Sequence, residues 1–443
     1  MSVIHSRSGR RARSTPFRRW LPCALAFVAL VPLAHAAENP LTLAEAQRRA
    51  LARSQLLPAQ DAAAAAAKEM AVAAGQWMDP VLKLGLDNLP VSGPDAWSIN
   101  KDFMTMGRIG VMQEWVSADK RASRTARYER EADKAQVEKA AAQANIARDT
   151  ALAWIDRYYA EATVALLKEQ AAEAVLETDA AEFAYRAGRG TQAEVFSARG
   201  AQASLSEKAS EARRRVTTAI TMLARWVGPG ADAPLSGRPV LAPLPFDRAQ
   251  LESQLAAHPQ IAMLTQAEAL AAAEVKVAQA NRDPDWSFEI YYQQRGPGFG
   301  NMMSVGVSIP LPWDRANRQD RDVGAKLAFV DQARALREDA LRAHVAEVAA
   351  MLEEWENGRE RLGLYADSLL PLARDRTAAA VAAYRGGKGA LAEVLAARRN
   401  ELDVRRDALM LERETARLWA QLNYLDITHG IVTADATLAK DRP

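Results

Sequence analysis

Few side chains in this chain of 443 residues have the types and spacing that catalysis requires. Beyond the first 36 residues the histidines are His258, His344 and His429, each isolated on a helical pattern, which predicts structural roles. The sequence contains no nucleophile paired with a base, no glycine-rich phosphate loop and no zinc-ligand spacing. We therefore expect neither an enzyme nor a bound cofactor.

Five methionines lie beside two predicted strand loops, at Met104, Met106, Met112, Met302 and Met303. Their thioethers are soft ligands that would suit Cu(I) or Ag(I). Methionine is also an adaptable apolar filler. Because no histidine or cysteine joins the group, the filler interpretation is favoured, and Met104, Met106, Met302 and Met303 remain weak candidates for a metal contact.

A repeated segment gives the strongest signal of architecture. Tyr185–Arg199 returns as Tyr384–Arg398, at an offset of 199 residues without a gap. In each copy one long helical pattern ends at a Gly-basic-Gly step and another begins, which predicts the tip of a helical hairpin. The sequence thus indicates an internal two-fold repeat, with halves at residues 37–235 and 236–443.

The first 36 residues have the layout of a secretory signal peptide. Six arginines and no acidic residue precede an apolar run, Leu21 to Leu33, and Ala34-His35-Ala36 follows as a cleavage site. The run is too short to span a membrane. The sole cysteine, Cys23, lies inside this segment, so its removal would leave no thiol for a disulfide or a thiolate site.

The remaining chain is mildly acidic. Of the 57 basic and 55 acidic residues, six arginines belong to the signal, which leaves 51 basic against 55 acidic residues and a net charge of −4. No basic stripe interleaved with aromatic residues is present. We therefore expect no nucleic-acid partner.

Each half also contains two segments that alternate between apolar and polar residues. The opening helices end at Asp79-Pro80 and Asp283-Pro284, because proline disfavours a helical residue before it. The alternation predicts strands at about 81–89, 107–115, 286–293 and 304–311. Their apolar faces carry Leu82, Leu84, Leu86, Trp286, Phe288, Ile290, Val305, Val307 and Ile309.

The helices between these segments are long. The chain from Ser117 to Ala187 contains no glycine or proline, and a helix of that length spans roughly 100 Å. In the second half Gly324, Gly358, Gly363 and Pro371 interrupt the corresponding run, which predicts a joint or bend there. The fold class is therefore mainly α with a small β part, built on long antiparallel helical hairpins.

Four amphipathic strands are too few to enclose a lumen. Open strand edges are not tolerated in lipid, so several copies would have to pool their strands into one transmembrane barrel. Lipid would then face the apolar residues, and Lys83, Asp87, Ser287 and Glu289 would face water. A water-soluble sheet packed on a helix would show the same alternation and stays open as an alternative.

The order helix, Asp-Pro, strand, loop, strand, long helix, tip and return helix, present twice, resembles the TolC-like outer-membrane factor (outer membrane efflux protein) family over the whole mature chain. Val307 to Asp314 resembles the exit from the second strand pair in this family. Gln113-Glu114-Trp115 with Lys120-Arg121 resembles the first exit in its heavy-metal-efflux branch. The resemblance implies a homotrimer with a shared β-barrel and a periplasmic α-barrel.

The resemblance also implies partners and site residues. The partners are a periplasmic adaptor (membrane fusion protein), an inner-membrane pump of the RND type and outer-membrane lipid. The tips at 186–194 and 385–393 would dock the adaptor and gate the tunnel, although Glu194 and Glu393 are equally explained as helix caps. The implied tip residues are Tyr185, Arg186, Gly188, Arg189, Gly190, Glu194, Val195, Tyr384, Arg385, Gly387, Lys388, Gly389, Glu393 and Val394.

These observations lead to the hypothesis of an outer-membrane exit duct in a tripartite efflux system of a Gram-negative cell, with a long periplasmic extension and with heavy-metal cations as cargo. One alternative is a soluble periplasmic coiled-coil scaffold or adaptor. A type I secretion duct is a further use of the same architecture.

Overall fold

The computed structural model describes residues 40–239, 244 and 251–425. The predicted signal peptide at 1–36 and His429 lie outside the described residues. The first half contains α1 (Leu43–Arg53), α2 (Leu56–Gly75), β1 (Val81–Asp87), β2 (Met106–Trp115), α3 (Ala118–Arg186) and α4 (Gln192–Val227). The second contains α5 (Leu251–Ala256), α6 (Pro259–Ala280), β3 (Trp286–Arg295), β4 (Met302–Ser308), α7 (Gln319–Leu364), α8 (Leu370–Arg385) and α9 (Leu391–Asn423).

The order of elements is the same in the two halves, and the predicted fold, mainly α with a small β part, is confirmed. Two helices, two strands and a long helical hairpin follow one another twice. Over the part of the chain that the structure describes, no helix is both long and apolar enough to cross a membrane.

The strands form one antiparallel sheet in the order β1-β2-β3-β4. Its central pairing joins the two halves, since Trp115 of β2 lies opposite Trp286 of β3. Strand β4 ends at Ser308, three residues before the predicted end at 311, so Ile309 lies beyond the strand. Pro310 and Pro312 explain the early end, because proline has no amide hydrogen to donate to a ladder.

Helix α3 is continuous over 69 residues, about 100 Å, as its freedom from glycine and proline predicts. The long helix of the second half has one interruption, a π-helical turn at Tyr365–Leu369 that leads into Pro371 of α8. The predicted joint is therefore at Pro371 alone, and α7 passes through Gly324, Gly358 and Gly363 unbroken. Gly358 serves packing instead, since a Cβ there would lie 2.5 Å from Thr415 Oγ1.

The start of α1 has the sequence of a capping box, Thr42-Leu43-Ala44-Glu45, but only half of its hydrogen bonds. Thr42 Oγ1 accepts a hydrogen bond from the Glu45 amide at 3.1 Å. The Glu45 carboxylate does not return to Thr42, because it accepts from Arg49 Nε at 2.6 Å.

A hydrophobic core lies where the two halves meet. It contains Trp154 and Ile155 of α3, Leu223 of α4 and Ala416 and Ala420 of α9. The indole of Trp154 donates to the Leu41 carbonyl at 3.1 Å, which fixes the start of the described chain against α3.

Arg157 is a buried cation in this core and is only 2% exposed. It donates to the carbonyl oxygens of Ala231, Asp232 and Ala233, the last at 2.8 Å, and to the Glu161 carboxylate at 2.7 Å. These bonds satisfy both the guanidinium and the carbonyls of the turn after α4, which would otherwise be buried without partners.

We expect Arg157→Met to lower the free energy of unfolding by about 3 kcal/mol, because the buried carbonyls lose a charged donor while the apolar stem is kept. Arg213→Met, at an exposed position of α4, is the control and should change stability by less than about 0.5 kcal/mol. Denaturant unfolding followed by circular dichroism measures both. Equal unfolding midpoints for the two variants would contradict a stabilising role for the hydrogen bonds of Arg157.

Candidate functional site

One face of the sheet is apolar and open to its surroundings. Leu82, Val111, Ile290 and Val305 lie side by side across the four strands. Leu84 is 69% exposed and Val305 74%. The predicted apolar residues Leu82, Leu84, Leu86, Trp286, Phe288, Ile290, Val305 and Val307 are all exposed. An apolar patch of this extent on a soluble monomer would be unusual and indicates an interaction surface.

Aromatic rings collect at the end of this face that adjoins the helices. The Trp115 ring lies 4.6 Å from Trp77 and 6.3 Å from Phe288, centroid to centroid. The Arg121 guanidinium lies 4.3 Å above the Trp77 ring. Trp77 was missed by the sequence reasoning, although its place just before Asp79-Pro80 put it at a strand entrance.

The opposite face is polar, and four of its charged residues form two ion pairs. Lys83 Nζ lies 2.9 Å from Glu289 Oε2, and the Tyr291 hydroxyl donates to the same oxygen at 2.7 Å. Arg108 pairs with Asp87 at 3.4 Å and stacks 4.7 Å from the Tyr291 ring centre. Within one chain Lys83 thus balances Glu289, and Arg108 balances Asp87.

A glycine makes room for the aromatic ring of this face. A Cβ at Gly110 would lie 2.2 Å from Tyr291 Cδ1 and 2.5 Å from the Ile290 carbonyl oxygen. The ring therefore covers the glycine of the neighbouring strand, an arrangement that stabilises glycine in sheets.

The candidate methionines do not share a face. In the register of the sheet Met106 and Met302 belong to the polar face and Met303 to the apolar face, while Met104 precedes β2 in the loop. Successive residues of a strand point to opposite sides, so Met302 and Met303 are directed apart. Among the described residues, no group of three or more His, Cys, Asp or Glu side chains could hold a metal ion.

The two hairpin tips have the same backbone geometry. The Gly188 amide donates to the Tyr185 carbonyl at 3.0 Å and the Arg189 amide to Ala184 at 2.9 Å. The second tip repeats the pattern, with Gly387 to Tyr384 at 3.0 Å and Lys388 to Ala383 at 2.9 Å. Gly188 and Gly387 both have φ +71°, the left-handed value at which a helix ends most easily on glycine.

The second glycine of each tip allows a close approach. A Cβ at Gly190 would lie 3.2 Å from Ala184 Cβ, and one at Gly389 would lie 3.1 Å from Ala383 Cβ. Each return helix therefore begins tight against the helix that precedes it.

The tips differ in how the return helix is capped. Thr191 accepts from the Glu194 amide at 3.2 Å, and Glu194 Oε2 accepts from the Thr191 amide at 2.7 Å, which completes the capping box. Ala390 at the equivalent position gives α9 no side-chain cap. Both features follow from the residue types, since threonine has a hydroxyl that can cap a helix and alanine has none.

Val195 and Val394 are buried and connect the tips. They pack with Ala181, Ala198 and Leu391 in one cluster that contains residues of both hairpins. Tyr384 packs against this cluster, whereas Tyr185 is exposed. The valines are therefore placed to hold the tips together rather than to contact a partner directly.

The basic residues at the tips are exposed. Arg189, Arg385 and Lys388 have no ion-pair partner among the residues that the structure describes. Arg186 pairs with Glu182 of its own helix at 3.1 Å, and Arg199 of the return helix α4 reaches the same carboxylate at 2.6 Å. The hydrogen bond from Arg199 lowers the pKa of Glu182 below its usual value.

A ladder of ion pairs, which the sequence reasoning missed, joins the two hairpins above the tips. Arg398 of α9 reaches Glu173 at 2.6 Å and Glu177 at 3.0 Å on α3. Arg405 reaches Glu169 at 2.8 Å. Arg413 and Arg417 hold Asp156 farther along. In the sequence, the signal for this ladder is the spacing of seven residues between Arg398 and Arg405, which places both on one face of α9.

Two carboxyls of the ladder titrate differently. Burial raises the pKa of Glu177, even though Arg398 opposes this shift. The hydrogen bond from Arg405 lowers the pKa of Glu169, which lies nearer to water. The partner of Glu169 therefore stabilises its charged form, whereas burial disfavours the charged form of Glu177.

His258 and His344 are not isolated, contrary to the sequence-based expectation. Their ring centres lie 4.6 Å apart where the start of α6 meets α7. Burial lowers the pKa of His344. Nothing in the spacing of 86 positions between them predicts this contact.

Comparisons with known proteins agree with this geometry. A sequence profile of the family described as "Outer membrane efflux protein" matches residues 251–426. No curated protein sequence matches the chain. The solved structure of the outer-membrane channel OprN superposes with a TM-score of 0.72 at 18% identity, covering 86% of this chain and 89% of that one.

Two other solved structures have the same fold. The outer membrane protein VceC of Vibrio cholerae gives a TM-score of 0.69 at 20% identity, covering 86% of this chain and 95% of that one. CusC, solved in a study of transmembrane channel formation, gives 0.71 at 15% identity, with coverages of 86% and 91%.

The fold is therefore that of outer-membrane channel subunits. The resemblance to the TolC-like outer-membrane factor family, also called outer membrane efflux proteins, is confirmed.

We expect Thr191→Ala to destabilise the start of α4 by about 1 kcal/mol, because it removes the capping box. Ala390→Thr is the matched gain-of-cap variant and should stabilise the start of α9 by a similar amount. Amide hydrogen exchange at the first turn of each helix measures both. Unchanged protection in both variants would show that the tertiary contacts alone hold the tips.

We expect Glu169→Gln to lower stability at neutral pH by about 0.5 kcal/mol or less, since its pair is exposed. Because the pKa is lowered, this contribution is fully present above the usual glutamate pKa of 4.5 and is lost as the pH falls through the folded-state pKa. Glu177→Gln should cost less than Glu169→Gln at neutral pH, because burial of the Glu177 carboxylate, which raises its pKa, offsets its attraction to Arg398. Unfolding midpoints between pH 3 and 7 test this; a larger loss for Glu177→Gln would contradict it.

Proposed function

We propose that this chain is one subunit of an outer-membrane exit duct in a tripartite efflux system. The exposed apolar face of the four-stranded sheet carries the proposal. It lies at one end of a helix of about 100 Å, a length suited to an extension through the periplasm. In this proposal the face contacts lipid, residues 1–36 are the export signal, and residues 37–235 and 236–443 are the two repeats.

Closure of the sheet requires further copies. Over the described residues no strand pairs with the outer edges of β1 and β4. Lipid cannot hydrogen-bond to such edges. In this antiparallel sheet β1 and β4 run in opposite directions, so β4 of one copy can pair with β1 of the next and continue the same pattern. The family resemblance supports a homotrimer.

The polar face would line the water-filled interior. Its ion pairs, Lys83 with Glu289 and Arg108 with Asp87, leave no unbalanced charge in that group. The duct is passive and acts by providing a path across the outer membrane. The energy comes from an inner-membrane pump, proposed to be of the RND type.

The hairpin tips would meet a periplasmic adaptor. Gly188, Gly190, Gly387 and Gly389 shape the two turns, and the exposed Arg189, Arg385 and Lys388 are available as donors. The buried Val195 and Val394 would hold the tips together until the adaptor separates them.

Heavy-metal cations are the proposed cargo. Support comes from the exit of the first strand pair, where the Gln113 amide donates to the Met78 carbonyl at 2.7 Å and Lys120 pairs with Asp285 at 2.8 Å. Arg121 donates to the Gly75 carbonyl at 3.1 Å. Gln113, Lys120 and Arg121 belong to the segment that resembles the heavy-metal-efflux branch. Metal and drug sensitivities of a deletion strain distinguish this cargo from drugs and from secreted proteins.

We expect Leu84→Arg to abolish assembly in the outer membrane, because an arginine at the lipid face costs about 2–4 kcal/mol per copy near the midplane. Gln293→Arg is the matched control on the polar face, one row away in the sheet register, and should assemble. Membrane fractionation and planar-bilayer conductance are the measurements. Wild-type protein found in the periplasm without detergent, and without conductance, would favour the soluble scaffold instead.

A further inference from the structure

A groove runs between α4 and α9, with α3 as its floor. It has a volume of about 500 Å³, which lies in the range of sites that hold small organic molecules. The residues that line it lie at 149–163, 212–226 and 409–417. The groove is therefore separate from the sheet and from the hairpin tips, the two surfaces that the proposed function uses.

The middle of the groove is apolar and open. Met222 of α4 is 56% exposed and Met410 of α9 is 52% exposed. Leu152 and Ala153 of α3 line the floor, and Trp226 lies near the end of α4. Methionine side chains are flexible and polarisable, so they can adapt to apolar ligands of different shape.

Cations outnumber carboxylates in the same groove. The five cations are Arg214, Arg215, Arg225, Arg413 and Arg417, and the two carboxylates are Asp149 and Asp156, which leaves a net charge of +3 on the lining. A concave surface of one sign attracts ligands of the opposite sign. The groove therefore combines an apolar surface with an excess of positive charge.

Both carboxylates of the groove are already paired with arginines. Asp156 pairs with Arg413 at 2.9 Å and also with Arg417. Asp149 pairs with Arg148 of its own helix at 2.9 Å. Neither carboxylate is therefore available to attract a cationic ligand. The two arginines that share Asp156 keep donors for a further acceptor, because each guanidinium has five N–H groups.

Two arginines of the groove have an uncompensated charge. Arg214 and Arg225 have no ion-pair partner in the ranges that the structure describes, whereas Arg215 is paired on its own helix. Eleven residues separate the two, so they lie on one face of α4 about 16 Å apart, with Met222 between them. The Arg225 guanidinium also lies 4.8 Å from the Trp226 ring centre, which holds it beside the apolar part of the groove.

We propose that this groove binds a small organic anion with an apolar body, such as an aromatic carboxylate. The body covers Met222 and Met410, and the carboxylate accepts hydrogen bonds from Arg214 or Arg225. The planar fork of donors on arginine matches the two oxygens of a carboxylate. This site goes beyond the proposed function and does not depend on it, since binding at equilibrium needs no passage across a membrane.

The composition of the groove favours this class of ligand over three others. A cation would meet a net charge of +3 and carboxylates that already have partners. An inorganic anion would use the arginines but would leave the exposed methionines uncovered. A neutral apolar molecule would cover the methionines but would leave Arg214 and Arg225 without an acceptor. An anion with an apolar body satisfies both parts of the surface.

Isothermal titration calorimetry with 2-naphthoate tests the site. The whole protein is placed in nanodiscs of zwitterionic phosphatidylcholine, and the heat measured with empty nanodiscs is subtracted. We expect saturable binding of one 2-naphthoate per chain. Acetate, which lacks the apolar body, and 2-naphthamide, which lacks the charge, should each bind about tenfold more weakly, because each retains only one of the two attractions.

Substitutions on α4 locate the site. Arg214→Gln and Arg225→Gln should each weaken the binding of 2-naphthoate about three- to tenfold, as the loss of one hydrogen-bonded charge partner does. Arg213→Gln is the matched control and should leave the affinity unchanged. Arg213 is exposed next to Arg214 but lies outside the groove, where it donates to the Ala209 carbonyl at 3.1 Å. Circular dichroism checks that the variants remain folded.

The outcomes separate this site from the proposed duct. Equal affinities for the wild type, Arg214→Gln and Arg225→Gln would overturn the site, as would binding of 2-naphthamide as tight as that of 2-naphthoate. Binding to the monomer in detergent but not to the assembled protein would mean that another copy covers the groove, and would also overturn it. Because heat rather than conductance reports binding, a protein that conducts ions without binding 2-naphthoate loses only this site. A protein that binds 2-naphthoate without conducting ions loses only the duct.

Discussion

The open edges of the sheet are the constraint on which the rest of the structure depends. A four-stranded sheet with one apolar face leaves two rows of backbone donors and acceptors at β1 and β4. In water such edges attract other strands, and in lipid they are not tolerated. The central pairing of β2 with β3 connects the two repeats, so the chain presents one edge from each half. Among the described residues, neither of these two edges has a strand partner.

Away from the sheet, contacts between helices join the two halves. Side-chain pairs between α3 and α9 hold the two hairpins side by side, with Arg398, Arg405 and Arg413 as the cations. Isolated surface pairs contribute little, but a series along two helices fixes their register. A compact globular core cannot be built along a helix of about 100 Å. Small clusters at intervals, such as the one around Val195 and Val394, take its place.

Local features of this fold were predictable from the sequence, and distant contacts were not. Gly188 and Gly387 end helices through their own backbone freedom, and the alternation of Leu82, Leu84 and Leu86 assigns a face without knowledge of any partner. The contact of His258 with His344 and the ladder at Arg398 depend on how separate helices pack, which no short pattern records. Gly358 was read as a break because its real role, making room for Thr415, is also a distant contact.

The two hairpins share a sequence signature but differ in how firmly they are held. The first has an unbroken outgoing helix and a capped return helix, with Glu194 bound to Thr191. The second has a π-helical turn before Pro371 and no side-chain cap at Ala390. Proline removes a backbone donor, and a missing cap leaves about 1 kcal/mol of helix stability unrealised. The hairpin of α8 and α9 is therefore held less firmly by its own local structure than the hairpin of α3 and α4.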